Sequence, residues 1–304
     1  MFITPFLLAE SPLLLSPSPS RDDIARSLEA ARLVGWQVFE IPPDFSECET
    51  ADNAFAHTPR QERVTPAVWL GYIPDRARYE AIYEAALSRN LMLLNTPEQH
   101  RIVQEFDAAY PFLEGLTPRS IIVTSEEEAR ERASEIGFPL FIKGVVQSRK
   151  SRGLSACVAY NQSELAERVR ALLELGLRSR GRMVLRELVA LRHTRSHGDF
   201  PLGREFRAFL LDGVLLALGF YWPHADEGAH LSDAEKRTVE EMAKNAARKL
   251  PVRFVAVDIG QLENGEWTVI ETGDPQFSGL SQIAPLAYWN RLRLALLEEV
   301  EPEV

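Results

Sequence analysis

Cysteine is almost absent from this sequence of 304 residues, where only Cys48 and Cys157 occur. Two cysteines that far apart form neither a disulfide framework nor the spaced ligand set of a zinc site. Disulfide-rich secreted proteins and zinc-finger proteins are therefore excluded as classes. We expect a cytoplasmic location, because disulfides persist mainly in oxidising compartments.

An excess of positive charge is also missing. The 34 Lys and Arg residues are outnumbered by 44 Asp and Glu residues, which gives a formal net charge of -10. Proteins that bind nucleic acids generally need clustered Lys and Arg side chains to contact the phosphate backbone, so we expect no nucleic-acid partner. The stretch 178–195 is locally rich in arginine. A solvated surface accounts for most of these side chains, and an acidic substrate is the alternative.

Long hydrophobic runs are lacking as well. The apolar start, Met1–Leu15, is interrupted by Pro5, Glu10 and Pro12 and has no basic leader. It therefore fits neither a membrane span nor a signal peptide, and no membrane partner is expected. The sequence also has no G-x-x-x-x-G-K-[ST] pattern, which excludes a P-loop NTPase.

The order of apolar and polar segments predicts an α/β and α+β protein with three subdomains. A strand at Phe2–Ala9, a helix capped by Ser20 and a strand at Trp36–Ile41 form a β-α-β start, which favours a parallel sheet covered by helices. The expected subdomains are an N-terminal α/β domain, a central α+β lid and a C-terminal α+β domain, at residues 1–95, 96–185 and 186–304.

Further elements are predicted within the last two subdomains. We expect one helix over Glu98–Tyr110, a strand at Leu154–Tyr160, and loops at 42–66 and 190–204. Such loops would carry the specificity for the acceptor.

Two acidic residues near the C-terminus provide the strongest functional signal. Asp258 and Glu271 each follow an apolar run, and the two runs flank the turn signal Asn264-Gly265. A hairpin at this turn places both carboxylates side by side on one face. Neighbouring carboxylates repel each other unless a cation lies between them, and Mg²⁺ bound through carboxylates and phosphates is the usual solution. The alternative is a pair of exposed acids on an edge strand.

A lysine ends another apolar strand. Lys143 closes the run Phe138–Gly144, where its ammonium can bind a phosphate as a compact charge. The alternative is a strand-end lysine that extends into solvent. A small, basic loop at 147–153 favours the phosphate, because its backbone N–H groups and cations can cover a triphosphate. The loop residues expected to contact the nucleotide are Ser148, Lys150, Ser151 and Gly153.

Two further segments complete the pattern. The strand that ends at Glu187, Leu188 and Val189 can present backbone groups to an adenine edge. In the strand that follows, Glu205 and Arg207 lie on one face, because side chains alternate along a strand. An acid there can bind ribose hydroxyls, and an arginine can stabilise charge on a transferring phosphoryl group. A cross-strand salt bridge is the alternative.

The order of these segments resembles the ATP-grasp superfamily, and within it a bacterial and phage clade of proposed amide (peptide) ligases. The similarity extends over about residues 95–290 and more weakly over the N-terminal domain, which would be a pre-ATP-grasp domain. No single motif is specific, but five in the same order are fairly specific. The segments that carry the resemblance are 138–143, 186–189, 203–207, 257–258, 267–271 and 274–280.

The resemblance implies a carboxylate–amine ligase that uses ATP and magnesium and forms an acyl phosphate. Lys143 would contact the α- and β-phosphates, and Arg207 would face the γ-phosphate; these two would be the catalytic residues. Residues 187–189 would form the adenine hinge, and Glu205 would bind ribose. The implied metal ligands are Asp258, Glu271 and Asp274.

Two positions depart from the family pattern. Members of the superfamily usually have an asparagine two residues after the metal-binding glutamate, where this sequence has Gly273, and Asp274 is considered as its substitute. Many members also have a second phosphate-binding lysine early in the central domain, but the segment His100–Phe106 contains only Arg101 as a cation of this kind. Two alternatives therefore stay open: an ATP-dependent kinase acting on a small molecule, and a nucleotide-binding module with little or no turnover.

Overall fold

The N-terminal region is a parallel sheet, as predicted. A computed structural model of the protein describes residues 4–42 and 51–298. The four strands β1 to β4 lie in the order β2-β1-β3-β4. The elements of this region are β1 (Phe6–Glu10), α1 (Pro19–Leu33), β2 (Gln37–Ile41), α2 (Ala51–Ala54), β3 (Thr65–Leu70), α3 (Arg76–Ser88) and β4 (Leu91–Leu93).

Two local predictions in this region need comment. The N-cap of α1 is Ser18 and not Ser20, because the Ser18 hydroxyl accepts the N–H of Arg21 at 3.1 Å and Pro19 occupies the first helical turn. Residues 2–3 of the expected first strand and 43–50 of the expected loop lie outside the described residues.

The central region is an antiparallel sheet in the order β5-β8-β6-β7. Its elements are α4 (Pro97–Gln104), α5 (Phe106–Leu113), β5 (Ser120–Val123), α6 (Glu126–Arg132), β6 (Leu140–Gly144), β7 (Val158–Ala159), α7 (Gln162–Leu173), α8 (Gly176–Ser179) and β8 (Met183–Glu187). The helix expected over Glu98–Tyr110 is interrupted at Glu105, which has extended backbone angles. The strand expected at Leu154–Tyr160 is reduced to β7, because Leu154–Ala156 forms a 3-10 turn after Gly153, whose φ is +92°.

The C-terminal region contains a second antiparallel sheet, in the order β12-β11-β13-β14. The loop expected at 190–204 contains a two-stranded hairpin, and a final helix follows that the sequence pattern did not reveal. The elements are β9 (His193–His197), β10 (Phe200–Gly203), β11 (Glu205–Leu211), β12 (Val214–Phe220), α9 (Asp233–Lys249), β13 (Phe254–Gln261), β14 (Trp267–Gly273) and α10 (Pro285–Glu298).

Apolar packing fixes how these parts meet. One face of the C-terminal sheet is covered by α9, whose buried Val239 and Ala243 belong to the same core as Val257. The other face joins α10 and the N-terminal helix α1 in a single core that includes Trp289 and Leu28. Each large buried side chain in such cores contributes about 1.5–3 kcal/mol. The limits proposed above for the three subdomains therefore separate sheets that share cores.

Candidate functional site

Three charged side chains form a row across the C-terminal sheet. Asp258 on β13 is the register partner of Glu271 on β14, and on its other side it is paired with Arg207 on β11. The cross-strand pairing of the two acids, which the Asn264-Gly265 turn predicted, is confirmed. A β-bulge follows directly between Asp258 and Ile259. The sheet thus brings one arginine and two carboxylates together on adjacent strands.

Arg207 and Asp258 form a bidentate ion pair. The Arg207 Nε and Nη2 atoms donate to the two oxygens of Asp258, each at 2.8 Å. Burial disfavours the charged guanidinium, but Asp258 outweighs this and raises the pKa of Arg207. The remaining Nη1 donates to the carbonyl of Gly279 at 2.9 Å, and the guanidinium lies 4.7 Å from the ring centre of Tyr221. Arg207 is therefore held rigidly beside the carboxylate.

Glu271 pairs with the central sheet. Lys143, at the end of β6, donates from Nζ to Oε2 of Glu271 at 2.5 Å. Burial opposes ionisation of Glu271, but Lys143 and Lys150 outweigh it and lower its pKa to about 2. Burial also lowers the pKa of Lys143, which is only 3% exposed. This ion pair joins the central and C-terminal sheets at the site.

The basic loop reaches the same place. Lys150 lies over the rings of Tyr221 and Trp222, at 4.8 and 5.0 Å from their centres, and its Nζ donates to the Tyr221 hydroxyl at 3.2 Å. Glu205 is buried nearby. Burial raises the pKa of Glu205 to about 7, although Lys150 acts in the opposite direction.

A mostly apolar cavity of 350 Å³ lies between the two antiparallel sheets, and we call it the hinge cavity. Its apolar wall includes Leu188, Leu191 and Ile270, and its polar end includes Lys143 and Glu205. The predicted site residues that line it are Lys143, Ser148, Lys150, Glu187, Leu188, Val189, Glu205 and Glu271.

A polar cavity of 440 Å³ adjoins the hinge cavity, and we call it the charged cavity. The two share Ser148, Lys150 and Glu271. The predicted site residues that line the charged cavity are Ser148, Lys150, Ser151, Arg207, Asp258 and Glu271. Gly153 lines neither cavity. It lies against Asp199 of the β9–β10 hairpin, whose Oδ1 accepts the N–H of Leu154 at 3.0 Å.

Asp274 has a different environment from the one expected. It is fully buried, and its Oδ2 contacts His100 Nδ1 at 2.9 Å and the side-chain amide of Gln276 at 3.2 Å. Its Oδ1 accepts the N–H of Gln276 at 3.1 Å, and it lines neither cavity. Because both oxygens are engaged within the protein, we remove Asp274 from the proposed metal ligands.

The donors that remain fit a magnesium ion only in part. The described residues contain no cluster of three or more His, Cys, Asp or Glu side chains suited to a metal. Mg²⁺, however, is commonly bound by one or two carboxylates together with substrate phosphates, and Asp258 and Glu271 supply two. At Gly273 an added Cβ would lie 2.9 Å from the Ser278 hydroxyl, so this position has no room for the asparagine of other family members unless Ser278 moves.

Two contacts of the site were not predicted. Arg186 is 5% exposed and lines the hinge cavity, with its guanidinium 4.2 Å from the ring centre of Phe106. Its position in an arginine-rich stretch suggested a solvated side chain instead. Tyr221 contacts both Lys150 and Arg207. Its place at the end of β12, after the predicted Asp212-Gly213 turn, was the available signal.

Comparisons with known proteins agree with this architecture. A family model described as an ATP-grasp domain, the third family of its clade, matches residues 133–292, more than half of the chain. No curated protein matches the sequence. None of the helices in the described ranges 4–42 and 51–298 has the length and apolar character of a membrane span.

Solved structures with the same fold cover nearly the whole chain. The VanG D-Ala:D-Ser ligase from Enterococcus faecalis is 12% identical, with a TM-score of 0.65 over 97% of this chain and 99% of that one. The D-alanine–D-alanine ligase from Bacillus anthracis complexed with ATP is 16% identical, with a TM-score of 0.61 over 97% and 96%. A RimK domain protein from Sphaerobacter thermophilus is 14% identical, with a TM-score of 0.58 over 95% and 99%. The chain therefore has the ATP-grasp fold and belongs to the ATP-grasp domain family whose model it matches.

Proposed function

We propose that the protein is an ATP-dependent carboxylate–amine ligase that works through an acyl phosphate with magnesium. One observation carries the proposal. The row Arg207, Asp258 and Glu271, joined by Lys143, lies where an apolar cavity meets a charged one. An apolar cavity beside buried cations suits a nucleotide, whose base is flat and apolar and whose phosphates are anionic.

The hinge cavity takes the nucleoside in this proposal. Leu188 and Val189 form its apolar edge, and their backbone groups bind the adenine. Glu205 accepts hydrogen bonds from the ribose hydroxyls, and Lys143 binds the α- and β-phosphates. The 3-10 turns at 150–156 carry Lys150 to the junction of the two cavities, where it binds the terminal phosphate.

Asp258 and Glu271 would hold the magnesium ion. When bound, such an ion bridges phosphate oxygens and neutralises the charge that develops on the transferring group. Without it, Arg207 and Lys143 neutralise the two acids. Arg207 is also positioned to stabilise the phosphoryl group in flight, because Asp258 and Gly279 orient its guanidinium.

The reaction has two steps. An oxygen of the substrate carboxylate bonds to the γ-phosphorus, the bond from phosphorus to the bridging oxygen breaks, and ADP leaves. The amine nitrogen then bonds to the acyl carbon. The carbon–oxygen bond to phosphate breaks, inorganic phosphate leaves with the bonding electrons, and the nitrogen releases its extra proton to solvent. The cavities exclude bulk water from the acyl phosphate, which water would otherwise hydrolyse.

Trapping with hydroxylamine tests this chemistry without knowledge of the natural amine. ADP release is measured for a panel of amino acids and short peptides with magnesium-ATP and hydroxylamine, and the hydroxamate product is quantified. We expect at least one carboxylate to give ADP and hydroxamate in equal amounts. ADP release with a phosphorylated hydroxyl product would instead identify a kinase. ATP binding without ADP release for every acceptor would identify a nucleotide-binding module.

A matched pair of variants tests the site. Asp258→Asn should lower turnover at least about 100-fold, because it removes a proposed metal ligand and the partner of Arg207. Asp274→Asn should change turnover less than about threefold per folded molecule, because Asp274 faces His100 and not the cavities. Lys143→Ala and Glu271→Gln should behave like Asp258→Asn. Equal losses in Asp258→Asn and Asp274→Asn would contradict the removal of Asp274 from the site.

A further inference from the structure

A third cavity of 310 Å³ adjoins the charged cavity, and we call it the outer cavity. It is enclosed by α1, the segment after β3, the loop after β14 and α10. Its wall includes Ile24, Leu70, Ile283, Tyr288 and Trp289, so it is largely apolar and aromatic. Such a wall favours a ligand with apolar surface to bury.

The two cavities meet at one glycine. Gly279 lines both, and its carbonyl oxygen accepts the Arg207 Nη1–H at 2.9 Å. A Cβ placed on Gly279 would have Oδ2 of Asp23 as its nearest neighbour, at 3.8 Å. A group bound at Asp23 would therefore lie next to the residue that orients Arg207.

Charge differs sharply between the two cavities. In the outer cavity the charged residues are Asp23 and Arg26, which are paired with each other at the solvent side. Lys150 and Arg207 belong to the charged cavity. A carboxylate awaiting phosphorylation is therefore better placed in the charged cavity. The outer cavity offers a carboxylate, Asp23, which suits an ammonium group.

A buried donor lacks a partner in this cavity wall. The indole Nε1 of Trp289 is buried and has no hydrogen-bond partner among the described residues. Trp289 is 2% exposed, and its ring packs edge-on against Trp36 and Tyr288. An unpaired buried donor costs about 1–3 kcal/mol, so a ligand oxygen that accepts this N–H would be favoured.

We propose that the outer cavity binds the acceptor amine of the ligase, as an α-amino acid unit with a large apolar side chain. This rests on the proposed function. The side chain packs between Ile24, Ile283 and Trp289, and the Trp289 Nε1–H donates to the oxygen of the acceptor's own carboxyl or amide. Asp23 holds the ammonium beside Gly279, where it meets the acyl phosphate formed next to Arg207. A free amino acid and the first residue of a peptide share this chemistry.

Calorimetric titration tests the proposal with leucine, phenylalanine, glutamate, lysine and the peptide Leu-Gly, each with and without magnesium-ATP. Leucine or phenylalanine should bind at least about tenfold more tightly than glutamate or lysine. 4-Methylpentanoic acid, which is leucine without its amine, should bind at least about tenfold more weakly than leucine. Leu-Gly distinguishes the sources: binding as tight as that of leucine indicates a peptide N-terminus, and weaker binding indicates the free amino acid.

Two variants locate the binding. Gly279→Leu should weaken leucine binding at least about tenfold by filling the junction, since no atom within 3.8 Å resists its Cβ. Trp289→Phe keeps a ring but removes the N–H, and should weaken it about threefold to tenfold. ATP affinity, measured in the same proteins, should stay within twofold in Trp289→Phe, which shows that the nucleotide site is intact.

The outcomes separate this inference from the proposed function. If the protein binds leucine as described but no ATP, the proposed function fails and the outer cavity remains an amino-acid site. If it binds ATP but shows no preference for apolar amino acids, the inference is overturned alone. Unchanged leucine affinity in both Gly279→Leu and Trp289→Phe would also overturn it.

Discussion

Arg186 and Arg204 are both almost completely buried, at 5% and 8% exposure, but their surroundings are opposite. Arg204 donates to the Glu235 carboxylate, to the Gln261 side chain and to the carbonyls of Gly228 and His230. Arg186 donates to the Ser120 hydroxyl at 3.2 Å and the Ile270 carbonyl at 2.7 Å, and its Nη2 has no partner in the described ranges.

The difference separates structural charges from binding charges. The carboxylate partner of Arg204 comes from the protein, so the ion pair is closed and holds α9 on the C-terminal sheet. Arg186 has no carboxylate hydrogen-bond partner and borders the hinge cavity, and burial lowers its pKa to about 10. A buried cation with an open donor is matched to an anionic ligand, whereas burial alone says little about function.

Arg204→Met should give the largest effect on stability. The substitution leaves Glu235 without its cation and two buried carbonyls without a donor, which should lower the free energy of unfolding by about 4 kcal/mol. Urea denaturation measures this, and ATP affinity of the folded variant should stay within twofold. A stable Arg204→Met protein with weakened ATP binding would break the comparison, because Arg204 would then belong with the ligand.

Glu205 and Glu235 extend the comparison to acids and to pH. Burial raises the pKa of Glu205 to about 7 against Lys150, from an ordinary value of 4.5. Between pH 4.5 and 7 the folded state therefore binds an extra proton at Glu205, and this group makes the protein less stable as pH rises through that window. Glu205→Gln should remove about 3 kcal/mol of this loss in the ligand-free protein.

The matched control is Glu235→Gln. The hydrogen bond from Arg204 and the N–H of Ser232 lower the pKa of Glu235 to about 2, so its contribution is present above pH 4.5 and is lost as pH falls toward 2. Its substitution should leave the pH dependence above 4.5 unchanged. Denaturation at several pH values between 4.5 and 8 measures both variants. An unchanged slope in Glu205→Gln would show that Glu205 is ionised throughout.

Local signals in the sequence predicted much of the catalytic face. The Asn264-Gly265 turn sets the register that pairs Asp258 with Glu271, because a short hairpin loop fixes which residues face each other. Strand β11, Glu205–Leu211, is found as predicted, since its apolar alternation is strong. The parallel N-terminal sheet follows equally from the β-α-β order.

Other features depend on contacts between distant residues. Strand β9 is exposed at every position, so it has no apolar alternation to reveal it. Asp274 contacts His100 across 174 positions, and Arg186 is buried by Phe106 from α5. Neither partner can be read from neighbouring residues. The sequence consequently placed Asp274 in the metal site and left Arg186 in solvent.

Arg186→Met makes the smallest change and the sharpest test of the comparison. Arg186 stands over Phe106, in the segment where the sequence lacks the second phosphate-binding lysine of the family. We expect ATP affinity to fall about tenfold, or about 1.4 kcal/mol, because an open guanidinium donor is removed from the hinge cavity. The free energy of unfolding should stay equal or rise, since an apolar side chain replaces a buried charge that has no carboxylate hydrogen-bond partner.

Adenosine provides the internal control, because it carries the base and ribose but no phosphate. If Arg186 binds phosphate, calorimetry should show weaker binding of ATP to Arg186→Met and unchanged binding of adenosine. The loss for ATP should also shrink at high salt, because screening weakens the interaction of a cation with a phosphate in the open cavity. Equal losses for adenosine and ATP would mean that Arg186 acts by holding β8 against β14 through the Ile270 carbonyl. In that case Arg186 would belong to the same structural class as Arg204, and the open donor at Nη2 would have no bearing on the nucleotide.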